Sequence, residues 1–204
     1  MPETLKLGLK LFVISAVAAL ALAVTNEVTK GPIKQQEIAA TNAARFAVFA
    51  DADSFSENSA ENGIEIYNAL DASGNVIGYT GKTLVTGYGG EIEVTVGTDA
   101  QGVISGVNVG GANFSETAGL GARTKEESFT SRFIGLKAPL YPAKGHSASA
   151  NGEERPAVTV SEAGTADISE MGVDVITSAT VSSSAVINAV SEGAMCILNL
   201  LQNP

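Results

Sequence analysis

Glu91-Ile-Glu-Val-Thr-Val96 alternates polar and branched apolar side chains at a period of two. That period belongs to a strand, because successive side chains point to opposite faces of a sheet. The segment runs into Thr98-Asp-Ala-Gln-Gly102, a turn, and returns as a strand over residues 103–109. The same layout recurs upstream. Ile64-Glu-Ile-Tyr-Asn-Ala-Leu70 reads as a strand, Asp71-Ala-Ser-Gly74 as a turn, and residues 76–80 as the next strand. Residues 71–78 and 99–106 share the pattern Asp-Ala-x-Gly-x-(Val/Ile)-x-Gly. Asp and Gly supply the turn, and branched residues start the returning strand. Two hairpins with one turn chemistry predict an antiparallel sheet, and the echo is too short for a solenoid.

Helices flank these strands. Residues 182–201 place Val186, Val190, Ile197 and Leu201 at helical spacing, which predicts an amphipathic helix. Residues 33–49 also read as helix, with Ile38, Phe46 and Phe49 among many alanines. Residues 52–62, rich in Ser, Asp, Glu and Asn, read as loop. Residues 129–141 are mixed and close on Pro139 and Pro142; residues 145–152 read as loop, and 157–160 as a further strand. The fold class is therefore α+β, a mainly antiparallel sheet with flanking helices.

An apolar stretch precedes it. Residues 7–24 are broken only by Lys10 and Ser15, and a helix of roughly 20 such residues crosses a bilayer. The reading is one N-terminal transmembrane helix over residues 5–25, with Lys10 reaching the headgroups. A cleaved signal peptide is the competing reading, since Lys6 and Lys10 form a basic start and Ala21-Leu22-Ala23 resembles a cleavage site. Both place the main domain outside the membrane. A polar connector, residues 25–31, closes on Gly31-Pro32. The expected organisation is an anchor at 5–25, a connector and helical segment at 26–62, and the α+β domain at 63–204.

Composition excludes several chemistries. The net charge of the 204 residues is −10, which argues against nucleic acid as a partner, since phosphate binding needs clustered Lys and Arg. Cys196 is the only cysteine and His146 the only histidine. Intramolecular disulfides, Cys-ligated metal centres and most His-based sites are thereby excluded, and no metal site is expected. His146 reads as a solvated loop residue and Cys196 as a small core residue. What remains is a bound cofactor, or hydroxyls and carboxylates.

Hydroxyls are concentrated in Asp174-Val-Ile-Thr-Ser-Ala-Thr180-Val-Ser-Ser183, just before the last predicted helix. Free amides at a helix N-terminus bind phosphate, Ser182 and Ser183 offer further donors, and small Ser178 and Ala179 allow close approach. The ordinary alternative is that Thr180 is a helix cap. A second motif, Gly110-Gly-Ala-Asn-Phe-Ser-Glu-Thr-Ala-Gly-Leu-Gly-Ala122, follows a predicted strand, and Tyr88-Gly-Gly90 precedes another. Gly119 and Gly121 permit tight turns and close backbone approach. Arg123, Lys125 and Arg132 follow this loop and read as a solvated face.

These three stretches resemble the RnfG/NqrC family of membrane-bound electron-transfer subunits, and the resemblance covers most of the chain. It implies that Thr180 carries FMN covalently through a phosphoester, with Thr177 a lesser candidate. It implies that Asp174 belongs to the site read by a flavin transferase. Ser178, Ala179 and Ser183 would line the phosphate. Glu116, Thr117, Gly119, Leu120 and Gly121 would face the ring or ribityl chain. Ala118 stands where the family often has Pro, and Ser178 where Gly is commoner. The implied function is electron transfer in an ion-translocating ferredoxin:NAD oxidoreductase (Rnf) complex of the inner cell membrane. The domain would lie on the extracytoplasmic side, and the partners would be the other subunits and the bilayer. The protein is not expected to run the full reaction alone, and no residue is assigned as catalytic acid or base. The alternatives are an NqrC-like component of a sodium-pumping NADH:quinone oxidoreductase and a non-redox exported binding module.

Overall fold

The computed structural model describes residues 2–61, 63–143 and 171–202. The sheet has five strands, β1 (Ser54–Glu61), β2 (Ile64–Leu70), β3 (Val76–Thr86), β4 (Glu91–Thr98) and β5 (Ile104–Gly110). They lie in sequence order, each antiparallel to its neighbour. Both expected hairpins are present. Asp71 accepts the backbone N–H groups of Ser73 and Asn75 on Oδ1, each at 2.8 Å. Asp99 accepts those of Gln101 and Val103 in the same way, also at 2.8 Å.

Register sorts the side chains. Gly81 pairs with Val96, and Thr83 with Val94, which pairs in turn with Val109. This face carries the core. The helix α3 (Thr180–Gln202) packs on it, chiefly across β3 and β4. Val186, Ile187, Val190, Ala194 and Ile197 are fully buried there with Ile66, Ile92, Val94 and Val96. Burial of this kind contributes about 1.5–3 kcal/mol per large side chain, the main stabilising term. Gly193 lets the helix approach closely, since a Cβ there would stand 2.8 Å from Val96 Cγ1.

The opposite face has small residues where another element lies. A Cβ on Gly78 or Gly97 would overlap the Phe49 ring, and one on Gly106 would overlap the Val48 backbone. Val48 ends the long helix α1 (Glu3–Val48). In the same turn Arg45 is buried 3.5 Å over the Tyr67 ring, and Phe46 meets Phe55 edge-on at 5.0 Å.

Two expectations are corrected. Residues 52–62, expected as loop, contain β1. Its polar sequence suits an edge strand, where one row of backbone groups pairs with β2 and the other faces solvent. Residues 25–31, expected as a connector, are helical, and α1 runs on through Gly31 and Pro32. Hydroxyls of Thr25 and Thr29 donate to the carbonyls one turn back, of Ala21 and Thr25, at 2.9 Å. Lys30 pairs with Glu27. Helix growth adds one bond per residue once a turn exists, so α1 propagates through weak formers. Its 18-residue apolar window has mean hydropathy 2.4 and is wholly exposed, long and apolar enough to cross a membrane. By chain packing, Met1–Ala40 forms one unit and Thr41–Pro204 another, so the last turn of α1 and β1 belong with the sheet.

Residues between β5 and α3 close the core's end. Phe129, in the single-turn helix α2 (Glu127–Thr130), and Phe133 are buried and meet edge-on at 5.4 Å. Strand β6 (Leu140–Ala143) then pairs in parallel with β7 (Met171–Asp174), which delivers the chain to α3. The strand expected at 157–160, the loop at 145–152 and His146 lie outside the described residues.

Candidate functional site

The chain from β7 to α3 forms a tight turn held by one buried side chain. The Ser183 hydroxyl accepts the Ile176 N–H at 3.1 Å and donates to the Ala179 carbonyl at 2.9 Å. Ile176 is buried beneath, and Ala179 N–H returns to its carbonyl at 3.0 Å. Ser178 completes the turn at φ +71°, the left-handed conformation that glycine adopts freely. Serine therefore keeps the backbone shape that the glycine of the related motif would provide.

This turn sets Thr180 as the first residue of α3, two residues earlier than the sequence pattern predicts. The first helical N–H to find a carbonyl here is that of Ser183, bonded to Ala179 at 3.0 Å. The amides of Thr180, Val181 and Ser182 precede that bond and have no acceptor among the described residues. Such a terminus favours a phosphate group. Thr180 is half-buried, and its hydroxyl has no hydrogen-bond partner among the described residues. It does not cap α3; the residue before the helix is Ala179.

Two further segments face this terminus. Gly87 N–H bonds to the Gly90 carbonyl at 2.8 Å, making a turn that holds Tyr88 80% exposed at its tip. The other is the loop from Glu116 to Gly121, closed by Leu120 and Ala122 N–H groups that both reach the Thr117 carbonyl at 3.1 Å. A cavity of about 440 Å³ lies between these segments and α3. Tyr88, Leu120 and Val181 are its large apolar or aromatic lining residues. That size lies within the usual range for cofactor pockets, ~300–1,000 Å³.

The cavity gathers Glu116, Thr117, Leu120, Gly121, Ser178, Ala179 and Thr180 of the residues selected from sequence. Asp174, Thr177, Gly119 and Ser183 are not among its lining residues. Asp174 is exposed at the end of β7, where its carbonyl accepts Arg132 Nη1 at 2.9 Å. Thr177 is exposed, Gly119 turns the loop at φ +76°, and Ser183 is fully buried. The Ser182 and Ser183 hydroxyls donate to Glu116 and Ala179, so neither is free to donate into the cavity. Tyr88 and Val181 line the cavity without having been selected as site residues, and Ser182, read from sequence as a further donor, lines it too. For Tyr88 a signal was present in Tyr88-Gly-Gly90.

The surrounding cations face outward. Arg123 pairs with Glu126 at 3.7 Å, Lys125 sits 4.0 Å over the Phe114 ring, and all three of Arg123, Lys125 and Arg132 are exposed. Cys196 is buried within α3.

Comparison with known proteins identifies the family. A family model described as an FMN-binding domain matches residues 87–194, more than half of the chain, from the Tyr88 turn through most of α3. The chain is 40% identical over 159 residues to the G subunit of the Na(+)-translocating ferredoxin:NAD(+) oxidoreductase complex of Acetobacterium woodii, covering 69% of this chain and 74% of the relative. It is 29% identical over 195 residues to the G subunit of the ion-translocating oxidoreductase complex of Methanosarcina acetivorans, covering 92% and 90%. Among solved structures, the C subunit of the Na(+)-translocating NADH-quinone reductase of Parabacteroides distasonis matches at TM-score 0.48 and 18% identity, over 69% of this chain and 63% of that one. NqrC of Shewanella oneidensis matches at 0.47 and 19%, over 78% and 75%. A family-model match over more than half its length and a relative at 40% identity make the chain a member of the RnfG/NqrC family of FMN-binding-domain proteins.

Proposed function

We propose that this protein is an RnfG-type electron-transfer subunit that carries FMN as a phosphoester on Thr180. The observation that carries the reading is the Thr180 hydroxyl, free of partners among the described residues, at the amide end of α3 and in the wall of a 440 Å³ cavity. In this reading Thr180 would hold FMN through its hydroxyl, and the amides of Val181 and Ser182 would offset the phosphate's charge. Tyr88, Leu120 and Val181 would hold the ring by apolar contact, and Thr117 and Gly121 would hold the ribityl chain. Bound FMN supplies the electron-carrying chemistry. The chain's residues anchor it, orient it and limit water around it. Asp174 and Thr177, exposed beside the turn, are accessible for a flavin transferase to read.

Two relatives support placement in an ion-translocating oxidoreductase complex, each named as the G component of such a complex. They favour the RnfG-type reading over an NqrC-type component of a quinone-reducing pump. In the same reading the apolar part of α1 anchors the chain in the cell membrane, with the FMN domain on the extracytoplasmic side and the other subunits as partners.

The test is intact mass of the full chain coexpressed with an active flavin transferase. Wild type should gain one FMN less one water, and Thr180→Ala should gain nothing. Absence of the adduct on wild type, with the transferase working on a control substrate, would sink the flavin reading and leave an exported binding module. An adduct on Thr180→Ala would move the anchor to another hydroxyl, Thr177 first.

A further inference from the structure

The carboxyl group of Glu116 touches two of the segments that face it across the cavity. Its Oε1 accepts the Gly89 N–H at 2.8 Å, and its Oε2 accepts the Ser182 hydroxyl at 2.7 Å. Ser182 Oγ in turn accepts the Tyr88 N–H at 3.4 Å, a weaker contact. One side chain thus joins the Tyr88 turn, its own loop and the first turn of α3. Glu116 is buried and Ser182 wholly so. Glycines make room for it. A Cβ on Gly87 would overlap Oε1, and one on Gly121 would overlap Oε2. Neither carboxyl oxygen is left pointing into the cavity without a partner, so the group is placed to hold walls rather than to bind a ring.

We infer that Glu116 is a positioning residue: it fixes Tyr88 and the Thr117–Gly121 loop against the Thr180 end of α3 and acts on the flavin through them. This rests on the flavin reading above. It changes the role of Glu116 within that reading, from a group facing the cofactor to a latch that joins the walls around it. A preorganised wall matters for an electron carrier because ring environment sets the potential, and a wall free to move would give a spread of environments. The latch uses groups of this chain alone, so it is closed before any cofactor arrives.

The test uses the full chain in detergent, with wild type, Glu116→Ala, Glu116→Gln and Ser182→Ala. Amide hydrogen exchange at Tyr88 and Gly89 is measured on protein made without transferase. Visible circular dichroism, per flavin bound, is measured on protein made with it. Glu116→Ala should speed exchange at Gly89 by about tenfold or more, the factor expected for losing one hydrogen bond to a charged acceptor. It should also weaken the dichroism of the attached flavin. Glu116→Gln keeps an acceptor for Gly89 and should fall between. Ser182→Ala cuts the other arm and should speed exchange at Tyr88; it decides the matter if Glu116→Ala fails to fold. Exchange unchanged in Glu116→Ala, or in Ser182→Ala where that variant decides, overturns the latch. Altered dichroism with unchanged exchange also overturns it and assigns Glu116 direct contact with the flavin. Wild type that takes no flavin defeats the cofactor reading instead, and the exchange data on bare protein still settle whether Glu116 holds the walls.

Discussion

Ser178 holds a conformation that its side chain disfavours. At φ +71° a Cβ crowds the following carbonyl, at a cost of roughly 1 kcal/mol or more that glycine avoids. Ser178 is exposed and its hydroxyl has no hydrogen bond among the described residues, so little is lost by removing it. Ser178→Gly should therefore raise stability by about 0.5–1 kcal/mol after the greater unfolded-state freedom of glycine is subtracted. Ser178→Val should lower it. Urea midpoints of the three proteins check this, and a lower midpoint for the glycine variant would show that Ser178 makes a contact that matters. At this scale the proposed anchor was legible. A hydroxyl run ahead of a helical pattern, with small neighbours, directs attention to Thr180. The walls were less so. Glu116 lies 66 residues from its Ser182 partner and 27 from Gly89, and no local pattern reports a contact closed over such distances. Ser183 shows the converse: a motif serine that looks like a phosphate donor has its hydroxyl committed to the turn that presents Thr180.

The hairpin turns are where element structure was most directly written in the chain. Asp71 shows why. The Asn75 side-chain amide, then its backbone N–H, hold the carboxyl below its ordinary value of 3.8; burial opposes them, and the Ser73 and Gly74 N–H groups add smaller help. A carboxyl lowered in the folded state binds fewer protons there than in the unfolded chain. Its contribution to stability is then complete above the unfolded value and is lost as pH falls through the folded one. The stability difference between wild type and Asp71→Asn should accordingly be constant at neutral pH and shrink below about 3.8. Urea melts over a pH series read this difference, and one that stays level down to about pH 2 would refute the coupling. Strands β2, β4 and β5 followed from alternation because the face under α3 takes branched apolar residues while the other takes charged, polar or small ones. Strand β1 did not, since an edge strand is stabilised by its neighbour's backbone and can be polar throughout. The helical run through Thr25, Gly31 and Pro32 was hidden for a related reason. Punctuating residues speak of local preference, and a long helix overrides a few of them.

On the scale of the whole molecule the chain is a wholly exposed apolar helix segment followed by an acidic α+β body, and the boundary between them is the instructive point. Composition places it where the hydrophobic run ends, near residue 25, and the change of period places it near 63. Chain packing places it at 40/41. The reason is the small-residue path across β3, β4 and β5, which receives Val48 and Phe49, and Tyr67, which receives Arg45. These contacts all lie within Thr41–Pro204, so this unit should fold without the apolar helix. A protein of residues 41–204 should match the urea midpoint of the full chain in detergent and should accept flavin at Thr180. Removing nine more residues, to give 50–204, takes away Arg45, Phe46, Val48 and Phe49 and uncovers the glycine path and Phe55. Large-to-nothing deletions at packed sites cost about 3–5 kcal/mol, a large share of a small domain's stability. The shorter protein should therefore melt much earlier or fail to fold, although it retains the whole flavin motif and all five strands. If both truncations melt alike, the end of α1 would be a passive tether. If 50–204 alone collapses, the last turn of α1 is part of the domain's core, and the fold that positions Thr180 begins before the first strand.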